Sequence, residues 1–168
     1  MVSREQMIRD YLSYDPETGV LTWKESPGYR VAKGDVAGHF CNHHKYYGVQ
    51  IGGRGFKGHR VAWFLYYGEW PKGQIDHING DRGDNRITNL REATHLQNMW
   101  NKPSYKNRTS KFKGVSYRKD SGKWRAVIQK DGKSLSIGHF ESELEAALAY
   151  NYKAEELFGS YARFNKVF

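Results

Sequence analysis

The feature that most constrains the fold is a basic, polar stretch at residues 102–112, which separates two differently patterned parts of the chain. It contains the last proline, Pro103, and its composition is typical of an interdomain linker. Only 38% of the 168 residues are hydrophobic, which is too few for one large core. We therefore predict two small modules of sheet and helix, an N-terminal domain over 1–101 and a C-terminal domain over 113–168.

The positive charge of the chain is concentrated around this stretch. The net charge is +9, and residues 101–135 contain 11 Lys and Arg against 2 Asp and Glu. Residues 1–100 contain 13 against 11, so the basic excess is local. A local basic block is typical of contact with the phosphate backbone of a nucleic acid. A solvated basic surface or a flexible linker is the alternative interpretation.

Several classes of protein are disfavoured by what the sequence lacks. A single cysteine, Cys41, excludes an intrachain disulfide and a cysteine-based zinc site. No apolar run approaches the roughly 20 residues of a membrane span, and the N-terminal residues contain no apolar segment typical of a secretion signal. We therefore expect an intracellular protein that has no membrane partner.

The candidate functional site is a short segment in which Asp76 and His77 are adjacent. Asn89 follows His77 by 12 residues and Asn98 follows it by 21. Carboxylate and amide oxygens suit a hard divalent cation such as Mg²⁺, which keeps several waters and so needs few protein ligands. A histidine with a pKa near neutrality can act as a general base. The pattern indicates metal-assisted cleavage of a phosphodiester.

Each of these residues also has a purely structural interpretation. Without the others, His77 reads as an exposed loop histidine, Asp76 as the acceptor of a turn, and Asn98 as a helix-surface amide. The loop at 76–85 is rich in Asp, Asn and Gly, but it lacks the oxygen ligands that an EF-hand requires at its third, fifth and twelfth positions. We interpret Asp81, Asp84 and Asn85 as residues that shape this loop.

The set formed by Asp76, His77, Asn89 and Asn98, with leucine at 90 and a further asparagine at 101, resembles the HNH endonucleases, in particular the homing type encoded by phages and introns. The resemblance covers residues 59–101. It implies two antiparallel strands and a helix around one Mg²⁺ or Mn²⁺ ion, held by Asp76 and Asn98, with His77 as the general base. If the chain is phage-encoded, it would act in the cytoplasm of a bacterial host.

The resemblance also places each residue of the motif on an element. Asp76 and His77 would end the first strand, Asn89 would begin a helical segment, and Asn98 would lie on a helix spanning about 92–101. Asn89 has a structural role, since its side chain can bridge the backbone of the loop at 79–86. Arg60 is a candidate for binding the scissile phosphate, with coverage of the helix surface as the equal alternative.

The C-terminal part is patterned as short strands followed by a helix. Residues 113–118, 123–130 and 133–139 read as strands, and Asp131-Gly132 is a strong signal for a tight hairpin. Ser142 and Glu145 form a capping-box pattern at the start of a helix that Gly159 ends. These elements predict a three-stranded antiparallel sheet packed on one helix.

This part resembles the AP2/ERF DNA-binding domain, through Gly114-Val115, the run at 123–126, the run at 137–140 and the alanines of the helix. That family lays its sheet in the major groove of double-stranded DNA. The residues that the resemblance assigns to DNA are Tyr117, Arg118, Lys119, Trp124, Arg125 and Gln129. Ser116, where arginine is usual, and Val127 depart from the plant-type pattern, so the plant target sequence is not assumed.

We therefore expect an α+β protein with an N-terminal ββα-metal nuclease domain, a basic linker and an AP2-like domain. Its expected function is that of a site-specific homing endonuclease that nicks DNA as a monomer. The competing hypothesis is a DNA-binding regulator without catalytic activity, which the AP2-like module alone would support. An RNA-binding factor is a third possibility, for which we find no stacking motif.

Overall fold

The structure is a computed structural model that describes residues 2–43, 45–103 and 109–167. The chain divides between residues 95 and 96 into two compact units. Within the described ranges both units combine helices with small antiparallel sheets, which confirms the predicted α+β class. The predicted linker at 102–112 includes residues 104–108, which lie outside the described part.

The first unit begins with helix α1, Arg4–Tyr11, whose start is capped by the Ser3 side chain accepting a hydrogen bond from the N–H of Gln6. Strand β1, Leu12–Tyr14, pairs with β2, Leu21–Trp23. The apolar side chains of Met7, Ile8, Tyr11 and Leu12 have helical spacing, which by itself favours a helix over residues 4–14. Residues 12–14 form a strand instead, because pairing with β2 buries Leu12 and Leu21 in the core.

A three-stranded sheet follows, in which β4, Tyr46–Ile51, lies between β3, His39–Cys41, and β5, Arg54–Lys57. The glycines at 52 and 53 both have positive φ and make the turn between β4 and β5. Helix α2, Gly58–Tyr67, begins directly after β5 and ends at Gly68, whose φ is 81°.

Strands β6, Gln74–His77, and β7, Leu90–Ala93, form an antiparallel pair. The loop between them ends in a single 3-10 turn, Ile87–Asn89, and helix α3, His95–Trp100, follows β7. The prediction that Asp76 and His77 end a strand is confirmed. The predicted helix start near residue 92 is wrong, because residues 90–93 pair with β6.

The main core of the first unit lies between α1, α2 and the sheets. It is made by buried side chains of all these elements: Ile8, Leu12, Leu21, Trp23, Ala37, Val49, Ile51, Val61 and Phe64. A smaller cluster of Ala62, Ile75 and Leu90 packs β6 and β7 against α2. This second cluster fixes the strand that carries the Asp-His pair to the helix that begins beside it.

The second unit contains strands β8, Val115–Arg118, β9, Lys123–Lys130, and β10, Lys133–Phe140, in the order β10-β9-β8. Asp131 and Gly132 both have positive φ, at 51° and 75°, as the predicted hairpin requires. Helix α4, Glu143–Phe158, begins with the predicted capping box. Its buried side chains, which pack on the sheet, are Ala146, Ala147, Tyr150, Ala154 and Phe158.

The alternation of side chains along these strands gives the sheet two distinct faces. Ala126 and Ile128 of β9 are buried against α4, so their sequence neighbours point to the opposite side. We call that side the outer sheet face, and the cross-strand register defines its members. They are Ser116, Arg118, Lys123, Arg125, Val127, Gln129, Ser134, Ser136 and His139.

Candidate functional site

The end of β6 presents two adjacent polar side chains that are almost fully buried. Asp76 is 5% exposed and His77 is 4% exposed. Asp76 lies directly opposite Arg91 on β7, and Nη2 and Nε of Arg91 donate to Oδ2 of Asp76 at 2.7 and 2.9 Å. A buried carboxylate requires such compensation. The ion pair therefore fixes the orientation of the carboxylate group.

His77 is held by a hydrogen bond across the loop. Its Nε2 lies 3.1 Å from Oδ1 of Asn85, and an amide oxygen can only accept. Nε2 therefore carries the proton of the neutral ring, and the lone pair is on Nδ1. Burial lowers the pKa of His77, while the bond to Asn85 and the nearby carboxylates, Asp76 first, act in the opposite direction.

Asn85 was interpreted from sequence as a loop-shaping residue, and the structure gives it a further role beside His77. It is 2% exposed, and its backbone oxygen accepts a 2.7 Å hydrogen bond from the hydroxyl of Tyr14. A Cβ on Gly19 would lie 2.5 Å from the backbone nitrogen of Arg86, so the turn at 15–19 packs directly on this segment. No local sequence signal connects residues 14–19 with residue 85.

The loop between β6 and β7 is organised by Asn89. Its Oδ1 accepts from the backbone N–H of Asn79 at 2.9 Å, and its Nδ2 donates to the backbone oxygen of Asp84 at 2.8 Å. Asp84 is also paired with Arg86, which holds the pKa of that carboxyl at about 2. Asn89 thus binds both ends of the loop and stabilises the position of Asn85.

A second buried histidine, His59, lies next to His77. It belongs to the first turn of α2, it is 4% exposed, and its ring contacts that of His77 edge-on with centroids 5.2 Å apart. Its Nδ1 makes no hydrogen bond to any described residue. Burial lowers the pKa of His59 to about 3, so the ring is neutral at pH 7. From the sequence, only the next residue, Arg60, was predicted to belong to the site.

That arginine, Arg60, contacts the backbone that leads into β6. Its Nη1 donates to the oxygen of Gly73 at 2.9 Å and its Nη2 to that of Pro71 at 3.2 Å. These bonds anchor the segment before the Asp-His pair to α2. The proposed phosphate contact of Arg60 stays a prediction.

Asn98 lies on α3, in the second unit, while Asp76 lies in the first. Within the described ranges no group of three or more His, Cys, Asp or Glu side chains is arranged to hold a metal ion. The donor set predicted from the sequence is one carboxylate oxygen and one amide oxygen. Both are ligands that suit Mg²⁺ or Mn²⁺, so the chemistry of the set fits a hard cation.

The six residues assigned to DNA in the second unit fall into two groups. Arg118, Arg125 and Gln129 point from the outer sheet face, and Lys119 is exposed in the turn after β8. Tyr117 and Trp124 form a cross-strand pair on the face that packs on α4, with ring centroids 5.1 Å apart. The outer sheet face also carries His139, opposite Arg125, which the sequence did not single out.

Comparison with known proteins assigns a family model to each of two parts of the chain. The family model described as HNH endonuclease matches residues 57–100, and that described as AP2 domain matches residues 110–160. Protein 3.8 of Escherichia phage T7 is 37% identical over 108 residues, which cover 63% of this chain and 88% of the phage protein. An uncharacterized HNH endonuclease of Acanthamoeba polyphaga mimivirus is 40% identical over 93 residues, 55% of this chain and 47% of that protein. No solved structure matches the chain.

The chain therefore contains an HNH domain at residues 57–100 followed by an AP2 domain at residues 110–160, and it is related to Protein 3.8 of phage T7. The phage and viral relatives agree with the resemblance found in the sequence. None of the helices in the described ranges is long and apolar enough to span a membrane.

Proposed function

We propose that the protein is a site-specific DNA endonuclease of the homing type, whose AP2 domain binds double-stranded DNA and whose HNH domain cleaves it. The observation that carries the proposal is the end of β6, where a carboxylate fixed by Arg91 stands next to an imidazole fixed by Asn85. A protein that only binds DNA has no evident need for two buried, oriented polar groups at adjacent positions.

In the proposed mechanism Nδ1 of His77 takes a proton from the attacking water. The water oxygen forms a bond to phosphorus as the bond to the 3′ oxygen breaks. The departing 3′ oxygen takes a proton from solvent water, which leaves a 5′-phosphate and a 3′-hydroxyl end. Asn85 keeps the ring in the tautomer that the reaction requires, because it accepts from Nε2. Asp76 and Asn98 would hold one Mg²⁺ or Mn²⁺ ion, whose chemistry is to stabilise negative charge on the phosphate.

The chain carries one such motif, so a monomer would nick one strand of its target. Cleavage of both strands would require a dimer or two successive nicks. Mapping the ends produced on a duplex labelled on each strand in turn distinguishes these outcomes.

The assignment of His77 is tested by the substitution His77→Ala. Loss of a general base reduces a rate by roughly 10²–10⁴-fold, and we expect that loss in the cleavage of a target duplex. DNA binding by the variant should equal that of the native chain, because the substitution changes none of the expected DNA-binding residues. His39→Ala, which removes an exposed histidine of β3, is the matched control. Full cleavage by the His77 variant would refute the mechanism.

The second candidate is a DNA-binding regulator without nuclease activity, which the outer sheet face of the AP2 domain would support by itself. Metal dependence separates the two functions. Cleavage of DNA that contains the native locus should appear with Mg²⁺ and disappear with a chelator. DNA that is bound but never cut, with Mg²⁺ or Mn²⁺ present, would favour the regulator.

A further inference from the structure

A group of cationic and polar side chains beside His77 has no role in the mechanism above. It surrounds Tyr46, the first residue of β4, whose ring centroid lies 5.1 Å from that of His59 and 6.3 Å from that of His77. The guanidinium carbon of Arg82 lies 4.6 Å from the centroid of the Tyr46 ring, and Nζ of Lys57 lies 5.6 Å from it. Both cations are within the range of a cation–π contact.

The two cations have no anionic partner in the described part of the chain. Neither Lys57 nor Arg82 makes an ion pair with a described residue, whereas Arg86 and Arg91 are paired with Asp84 and Asp76. Both side chains are exposed. They lie on different segments, the end of β5 and the loop after β6, so only the tertiary structure brings them to one aromatic ring.

The start of α2 lies at the same place. Lys57 is the residue that precedes the helix, its side chain makes no capping hydrogen bond, and the first turn contains no acidic residue. The N–H groups at the start of a helix favour a bound anion. His59 in this turn is buried, and its Nδ1 makes no hydrogen bond to a described residue. The two unpaired cations and the uncapped helix start therefore both favour an anion beside the proposed general base, and Nδ1 of His59 is a buried polar atom left without a described partner there.

The acidic groups near the site are already engaged by the protein. Asp84 is paired with Arg86, and Oδ1 of Asp81 accepts from the backbone N–H of Gly83. Asp76 is paired with Arg91 across the strand register. The nearby carboxylates are thus held by other groups of the protein, whereas Lys57 and Arg82 make no ion pair with a described residue.

We propose that Lys57 and Arg82, positioned by the ring of Tyr46 at the start of α2, form a clamp for a phosphate of the DNA strand that is cleaved beside His77. The clamp rests on the proposed nuclease function. It would hold the backbone by charge and not by base sequence, because both groups are cations on an exposed rim. The clamp would hold the phosphodiester where the water activated by Nδ1 of His77 can attack it, while recognition of sequence remains with the AP2 domain.

The test measures DNA binding by the full chain in the presence of a chelator, so that cleavage cannot occur. Each phosphate contact that is lost reduces the slope of log K against log salt by about 0.9 for duplex DNA. We expect Lys57→Gln and Arg82→Gln each to show this reduction. Arg54→Gln, the same change in charge three residues before Lys57 on the same strand, should leave the slope unchanged.

Two further variants exclude a merely structural effect. Lys57→Arg and Arg82→Lys keep the charge, so both should retain the native slope. The proposal is overturned if the two Gln variants have the slope of the native chain, or if Arg54→Gln lowers it by the same amount. This binding measurement does not depend on cleavage. If the His77→Ala test failed, a reduced slope in the two Gln variants would still show that Lys57 and Arg82 contact DNA.

Discussion

At the scale of single residues, the site depends on what each buried polar group contacts. Asp76 and His77 were found from sequence because their types and spacing carry the chemistry. The contact of Asn85 with His77 is visible only in the folded structure. The two residues are eight positions apart, and Asn85 is held in place by Tyr14 and the turn at 15–19. The hydrogen bond from Nε2 of His77 to Asn85 selects which ring nitrogen can act as the base.

The role of Asn85 can be tested by the substitution Asn85→Ala. Residues that orient a functional side chain from behind typically contribute 10–100-fold to activity, and we expect a fall of about that size in the cleavage rate. DNA affinity should be unchanged, because the variant alters only the orientation of His77. Asn42→Ala, at an exposed position before β4, is the matched control. An unaltered rate in the Asn85 variant would show that the hydrogen bond has no catalytic importance.

His59 makes the stability of the first unit dependent on pH. Its pKa is about 3 in the folded chain against 6.5 ordinarily, so between these values the unfolded state binds more protons. The stability that depends on a neutral His59 is therefore fully present above pH 6.5, and it is lost as the pH falls towards 3. At pH 5 the loss from this one group is on the order of 2 kcal/mol of unfolding free energy.

Urea unfolding at pH 7 and pH 5 measures this contribution. The native chain should lose more unfolding free energy between the two values than the variant His59→Gln, which cannot titrate there. His39→Gln, at an exposed position, should behave like the native chain. Equal pH dependence in the native chain and in the His59 variant would contradict the assignment.

At the scale of elements, strand register decides which side chains meet. The pairing of β6 with β7 sets Asp76 opposite Arg91, which is why the carboxylate has a cationic partner. In the AP2 domain the alternation of β8 and β9 turns Tyr117 and Trp124 towards α4 and turns Arg118 and Arg125 away from it. The family motif assigned all four residues to DNA. It could not show that they lie on opposite faces of the sheet, because the face on which a side chain lies depends on how the strands pair and pack.

The outer sheet face is the element on which we expect DNA to be read. Arg125 lies at its centre on β9 and makes no ion pair with a described residue, whereas Arg118 and Lys123 contact Asp120 and Glu141. Arg125→Gln should weaken binding to the target duplex by about 1–3 kcal/mol. Cleavage at saturating DNA should be unaffected.

Lys153→Gln is the control for this prediction, because it removes the same charge from α4, on the opposite side of the sheet. Its affinity for DNA should equal that of the native chain. If both variants bind equally well, the outer sheet face is not the DNA contact.

At the scale of the whole molecule, cutting and binding are assigned to different parts of the chain. The Asp-His pair lies in the unit before residue 96, and the AP2 domain lies in the unit after it. The basic excess belongs to residues 101–135, outside the Asp-His loop. The two activities should therefore be separable by mutation, as the His77 and Arg125 variants test.

The sequence by itself predicted the two kinds of domain, which the family models match, and it supplied the proposed chemistry of Asp76, His77, Asn89 and Asn98. It did so because catalytic residue types, tight turns and helix caps are local patterns. The tertiary structure alone brought Asn85, His59 and the two cations around Tyr46 to the side of His77. These residues come from separate strands, a helix start and a loop, and only packing of those elements makes them neighbours.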